Sequence, residues 1–444
     1  MARLNSIQSD NKTTILIFLA LVGTVNIVAH VIPTAIYVGL LLAIQLLFVD
    51  KKDNAVIFIA LGSVAGAVFA TQGVRFVGVF LMALGFLWVI KDFLKSVNRL
   101  TPSILVLFVV FLLLYISVMT TSGGFYAESK LKGTMINAAL YLLSLGHIVL
   151  FPKKHNGVHL GYLYLCYATI MMMYMNEIGG VGGALTSLFR LAGYRSEWGE
   201  YMMSKDKEDV FSFNYQTIGL YVCIGFALFY LNNPEKRDRL QRNVMWFLTI
   251  LLVLYSGSRQ SLYALAAILL LYYFVKNDKA VSQFGSVALF GFMLFVVMTM
   301  LDSSVSDFLL GNDEMSSDSA RSQIRSEAMA AFDRNPITGV GYGRFCYMGE
   351  YSVDEHNIIA EILAELGILG FSVLGFLFGG ILSFNLKTIK QNKREIYPFI
   401  AVFVAVLVRC MVSTSLLEGI MLFVLISLLP QYTRYKKLHT FKNN

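Results

Sequence analysis

Long apolar runs recur along the whole chain, separated by polar segments that are mostly short. Most runs approach the twenty or so residues a helix needs to cross a bilayer. They predict about fourteen membrane spans, near 13–29, 31–49, 55–71, 76–90, 104–120, 135–151, 158–176, 214–231, 244–257, 261–275, 284–301, 357–384, 397–413 and 416–430. Two polar segments are long, 177–213 and 302–356, and loops of that length usually serve a function. Both carry the apolar residues of ordered structure. The first holds Phe189, Tyr194 and Trp198; the second has a helical pattern over 319–332, with Ile324, Ala328, Ala331 and Phe332 on one face. Pro336 and the Gly339, Gly341, Gly343 series then break that helix. No internal repeat of fixed period runs through the chain. The pattern predicts an all-α polytopic transmembrane bundle, with residues 1–444 forming a single integral membrane domain.

Composition excludes a soluble protein of this size, because 57% of residues are hydrophobic and only 14% charged. The net charge of +8 invites a nucleic-acid reading, but the placement of the basic residues argues against it. They sit in short clusters in alternate segments: Lys51 and Lys52; Lys91, Lys95 and Arg99; Lys153 and Lys154; Lys236, Arg237, Arg239 and Arg242; Lys387, Lys390, Lys393 and Arg394. The positive-inside rule then puts both termini in the cytoplasm and both long loops outside. Arg3 and Lys12 precede the first apolar run, but no A-x-A-like cleavage site follows and a second span begins at once, so this run reads as a retained span. Cys166, Cys223 and Cys410 fall in spans and only Cys346 in an outside loop, which leaves no outside pair for a disulfide within the chain. No Cys/His spacing suits zinc, and no D-x-D stands outside. The sequence therefore predicts neither a metal nor a cofactor.

Candidate chemistry gathers where the second long loop meets the span near 357. His356 stands there. Ser352-Val-Asp-Glu355 fits a capping box that would start a helix at Ser352 and place His356 in its first turn, where the helix N-terminus favours a neutral imidazole able to accept a proton. Its bland counterpart is an interfacial histidine bonded to a carbonyl, and Glu355 reads as a cap. Asn357, Glu361 and Glu365 repeat every four residues and so share one helix face. Carboxylates facing lipid are costly, so this face should look into the bundle, to hold arginines in place or to line an acceptor path, with a purely structural internal salt-bridge network as the alternative. Arg259 lies in the short turn Tyr255-Ser-Gly-Ser-Arg259, as a snorkelling anchor or a bidentate phosphate ligand. Arg190 and Arg195 precede Trp198, Arg321 lies one turn from Arg325, and Arg344, Arg75 and Arg409 are further candidates, Arg409 inside a span. Gly339-Val-Gly341-Tyr-Gly343 is no dinucleotide fingerprint, since no strand precedes it; it suits a tight re-entrant turn close to substrate.

These elements, in this order, resemble the C-terminal signature of the O-antigen polymerase and O-antigen ligase superfamily. The resemblance runs from Tyr194 to about Gly370, through the Ser-Arg259 turn, the Pro336-x-x-Gly339-x-Gly341 stretch and the His356-Asn357-to-Leu366-Gly367 helix. It departs from the family at Phe213, where a proline usually precedes Asn214. It implies a GT-C-like helical glycosyltransferase that takes a glycan from undecaprenyl diphosphate, with membrane lipids around it and no nucleic acid. His356 would then be the general base, with Arg259, Arg195, Arg321, Arg344 and Arg190 binding the diphosphate without metal. Asn357, Glu361, Glu365, Arg409, Arg75, Gly339 and Gly341 would support them. The resemblance further implies the bacterial inner membrane and a separate chain-length-determining co-polymerase. A span count near fourteen favours the polymerase over the ligase. A lipid-linked oligosaccharide flippase is the alternative from another class, although such transporters tend to show repeats.

Overall fold

The computed structural model describes residues 2–121, 125–179, 215–231, 239–256, 258–276, 315–345, 357–412 and 416–440. Regular structure among them is entirely helical. The helices are α1 (Ala2–Ala29), α2 (Thr34–Phe48), α3 (Lys51–Ala70), α4 (Val77–Thr120), α5 (Phe125–Leu150), α6 (Gly157–Gly179), α7 (Tyr215–Phe229), α8 (Arg239–Tyr255), α9 (Arg259–Lys276), α10 (Met315–Arg334), α11 (Ile358–Gln391), α12 (Lys393–Val412) and α13 (Leu416–Thr440). Among the described residues, six are long and apolar enough to cross a membrane: α1, α3, α4, α5, α6 and α11. Four more apolar stretches, in α2, α7, α9 and α13, are shorter. The expected span at 284–301 lies outside the described residues.

Two expected spans are one helix. The segments 76–90 and 104–120 belong to α4, which is 44 residues long. Its residues number about twice the twenty or so that a helix needs to cross a bilayer. The sequence shows why no turn forms between them. Residues 91–101 contain neither glycine nor proline, lysine and arginine are good helix formers, and Pro102 removes only one backbone donor.

The chain divides into two compact units. The first draws on residues 1–89, 152–313 and 397–405. Its centre is α6, apolar around its whole circumference and buried from Val158 to Asn176, as expected of a helix surrounded by others. α6 packs on α7, α1 and α3. Small residues permit the closest approach: a Cβ on Gly161 would meet Phe229 at 2.8 Å, and one on Gly225 would meet Tyr164 at 2.7 Å. The second unit draws on residues 90–151, 314–396 and 406–444. In it α13 packs between α5 and α11, and α10 lies on the start of α11. The expected apolar face of α10 is the one buried: Ile324, Ala328 and Ala331 join Val340, Phe345, Ala360 and Ala364 in one core. Arg325, on the opposite side, is exposed.

Candidate functional site

The site in the second unit is built on a break in α11. Gly367 has φ 64° and ψ −169°, far from helical values. In an unbroken helix the N–H groups of Ile368 and Leu369 would bond the carbonyls of Ala364 and Glu365. Here they donate to the carbonyls of Pro336 and Ile337, at 2.8 and 3.1 Å. The carbonyls so released accept from the N–H groups of Val340 and Gly341, at 2.8 and 2.9 Å. All four backbone groups freed by the break are thus satisfied by one strap, residues 336–341, laid along the helix.

The glycine series is what lets the strap lie so close. Gly341 has φ 108°, and a Cβ there would collide with the Thr121 side chain. Gly339, also at positive φ, abuts the Glu365 backbone. The expected re-entrant turn is therefore a strap held against protein backbone. The residue between two of the glycines does further work. The Tyr342 N–H donates to Ser117 Oγ at 2.9 Å, and its hydroxyl lies 2.7 Å from Thr134 Oγ1. Burial pushes the Tyr342 phenol well up; Lys130 opposes this, while Glu361 and Glu365 add to it, so the ring stays neutral.

Glu361 and Glu365 face inward, as expected of carboxylates in such a helix, and their partner is a lysine. Lys130 of α5 places Nζ 2.7 Å from Glu361 Oε1 and 3.3 Å from Glu365 Oε1, with all three side chains about 1% exposed. The same ammonium sits 5.0 Å from the centroid of the Tyr342 ring. The partner is a lysine and not one of the expected arginines, so the geometry fits the structural alternative, an internal salt-bridge network. Lys130 did not emerge from the sequence because the expected span began at 135, which left it in a polar segment. Its position in α5, within the apolar stretch Ala127–Leu150, is the signal that could have found it: a cation there needs a buried anion.

Asn357 departs from expectation. α11 starts at Ile358, not Ser352, and Asn357 is its N-cap, with Oδ1 accepting from the N–H groups of Ile359 and Ala360 at 3.0 and 3.1 Å. Asparagine is among the best capping residues; the expected Ser352–Glu355 box lies outside the described residues. Asn357 consequently stands outside the helical face that carries Glu361 and Glu365. Its Nδ2 donates to the carbonyl of Met411 at 2.8 Å, which ties the start of α11 to the end of α12. Arg409, two residues earlier on α12, is 5% exposed, in keeping with a cation inside a span. Arg344 is exposed, with one guanidinium nitrogen donating to the Thr121 carbonyl at 2.8 Å.

The remaining candidates are not brought to this cluster by described contacts. His356 directly precedes the cap but lies outside the described residues, as do Arg190, Arg195, Glu355 and Cys346. Arg321 lies in α10 and Arg259 is the first residue of α9, but their side chains are outside the described set. Arg75 is exposed in the turn between α3 and α4, in the first unit.

Residues 244–375 match the family model described as O-antigen ligase. The match supports the O-antigen polymerase and ligase superfamily and does not separate the two activities. It spans the Arg259 turn, α10, the glycine strap, His356, the Asn357 cap, both carboxylates and the Gly367 break. Arg75, Arg190, Arg195 and Arg409 fall outside it, as does Lys130. With the helical architecture, the match supports a multi-pass membrane transferase that acts on a lipid-linked polysaccharide in O-antigen assembly. No curated protein matches the chain.

Proposed function

We propose that this protein is an O-antigen polymerase: it transfers a glycan from undecaprenyl diphosphate to a lipid-linked repeat unit at the outer face of the inner membrane. The observation that carries the reading is the strapped, capped start of α11 inside the matched segment. That construction fixes the helix N-terminus immediately after His356. An anchored N-terminus with its N–H groups favours anions and a neutral imidazole. His356 then takes the proton from the acceptor hydroxyl as the glycosyl carbon parts from the diphosphate oxygen. Arg259, Arg195, Arg321, Arg344 and Arg190 bind the diphosphate and offset its growing charge, in a transfer that needs no metal. Glu361, Glu365 and Lys130 support this end of the helix and do not touch the reacting atoms.

The choice of polymerase over ligase rests on the expected span number. The experiment that tests it is a surface-glycan gel from a deletion strain, with and without the gene restored. Loss of a polymerase leaves core carrying one repeat, and restoration returns a ladder. Bare core in the deletion strain would instead mean a ligase, and absence of lipid-linked repeats outside would mean a flippase.

A further inference from the structure

The first unit buries a group of acid and imidazole side chains that the proposed transfer does not use. Asp53, in the first turn of α3, is 0% exposed; His159, in the first turn of α6, is 2% exposed. One side of the Asp53 carboxylate is held firmly. Oδ1 lies 2.8 Å from His155 Nδ1, and the Asn156 N–H reaches both oxygens, at 3.3 and 3.2 Å. The other side faces His159 Nδ1 across 3.7 Å, and that buried nitrogen has no hydrogen-bond partner. A buried polar atom left in this way costs about 1–3 kcal/mol. Asp50 completes the group. It is the N-cap residue of α3, yet its side chain makes no capping hydrogen bond. Ligand atoms of Asp50, Asp53 and His159 all lie within 4.8 Å of one another.

We propose that Asp50, Asp53 and His159 bind a divalent first-row cation, zinc foremost. A charge-assisted pair between an imidazolium and a carboxylate closes to about 2.7–2.9 Å. Two ligands of one zinc ion stand about 3.4 Å apart, given metal–ligand bonds of about 2.0–2.2 Å. The 3.7 Å gap between Asp53 and His159 fits the second case. Asp50, at the surface, reaches the ion by side-chain rotation, and the two carboxylates balance its charge. The surroundings orient the ligands. His155 and Asn156 fix Asp53, while Thr13 Oγ1 of α1, 3.5 Å from His159 Nε2, can accept from Nε2–H in the tautomer that leaves the Nδ1 lone pair for the ion. Such an ion joins α3 to α6 at their starts. Lys51, Lys52, Lys153 and Lys154 flank these helix starts and mark them as the expected cytoplasmic ends. The site is structural and separate from the chemistry assigned to His356.

The test uses the full chain purified in detergent with no polyhistidine tag. Metal content is measured by mass spectrometry, and Tm is followed through chelation and readdition of Zn²⁺ or Co²⁺. The expected result is about one ion per chain, a Tm that falls on stripping and recovers on readdition, and a visible ligand-field band with Co²⁺. Asp50→Asn changes a surface residue and should fold, with at least tenfold weaker Zn²⁺ binding; His159→Gln should remove the cobalt band. A wild-type chain with no stoichiometric ion and no response to Zn²⁺ or Co²⁺ would overturn the proposal. So would Asp50→Asn binding as tightly as wild type.

Discussion

Lys130→Met removes the ammonium that faces Glu361 and Glu365 while keeping most of the side-chain volume. The ammonium lies 2.7 Å from Glu361, where a pair at an effective dielectric near 20 is worth about 6 kcal/mol before desolvation. Desolvation takes back part of that, and breaking buried pairs typically costs about 3–5 kcal/mol. The loss should be at the upper end of that range, because the one ammonium pairs with two carboxylates. For a unit of this size, each kcal/mol lowers Tm by about 2–4 °C, so the drop should be on the order of 10 °C. Fluorescence-detected size exclusion of a heated, detergent-solubilised fusion reads it directly. The triple variant Lys130→Met, Glu361→Gln, Glu365→Gln removes all three charges and should recover most of the loss, since a neutral, packed replacement of a buried ion cluster is often tolerated. A Lys130→Met protein within 2 °C of wild type would refute the reasoning, for then the carboxyls carry no charge that needs compensation.

His356→Ala and His356→Gln should each abolish polymer at normal membrane levels, because an amide can hydrogen-bond but cannot take a proton, and positioned proton transfer contributes about 10²–10⁴-fold; long chains from the Gln variant would move the base elsewhere. Arg259→Lys keeps charge but loses the planar fork, so glycan ladders should shorten or vanish; a full ladder would make Arg259 a membrane anchor. Gly341→Ala meets both a positive φ and the Thr121 side chain and should lower Tm by several degrees. Gly375→Ala has open space around it and should not; equal Tm values for the two would sink the strap. Single-cysteine chains labelled with an impermeant reagent should react near 190 and 330 and be protected near 236 and 390; the reverse pattern would mean that the unbroken α4 crosses the membrane once, shifting the side of everything after it.

Helix existence was legible almost throughout, because apolar runs of membrane length leave the backbone little choice but to bond within the segment. Helix ends were less so. The run 76–120 was divided at its charged middle, yet charge alone does not break a helix when neither a glycine nor an early proline is there to turn the chain. The helix expected from Ser352 has its cap at Asn357, which also anchors to the Met411 carbonyl, a tertiary bond that local sequence cannot display. The inward face of Glu361 and Glu365 was readable from spacing and cost. Its partner was not, because Lys130 lies more than two hundred residues away and at the edge of its own apolar stretch.

The glycine strap and the acid pair, which look like separate motifs in the sequence, are one construction in the fold. Breaking α11 at Gly367 releases two N–H groups and two carbonyls, and only a chain able to hold positive φ can come near enough to take them up. That chain carries Tyr342, which brings an aromatic face to Lys130, and Lys130 in turn pairs with the carboxylates on the turns just before the break. Each part therefore stabilises the others, and together they hold a helix N-terminus at a fixed place after His356. Stability and chemistry separate at this point. Variants of Lys130, Gly341 or the carboxylates should lower Tm and activity together, whereas His356 variants should lose activity with Tm unchanged. A His356→Ala protein that melts as early as Lys130→Met would put the histidine inside the supporting construction and remove it from the reaction.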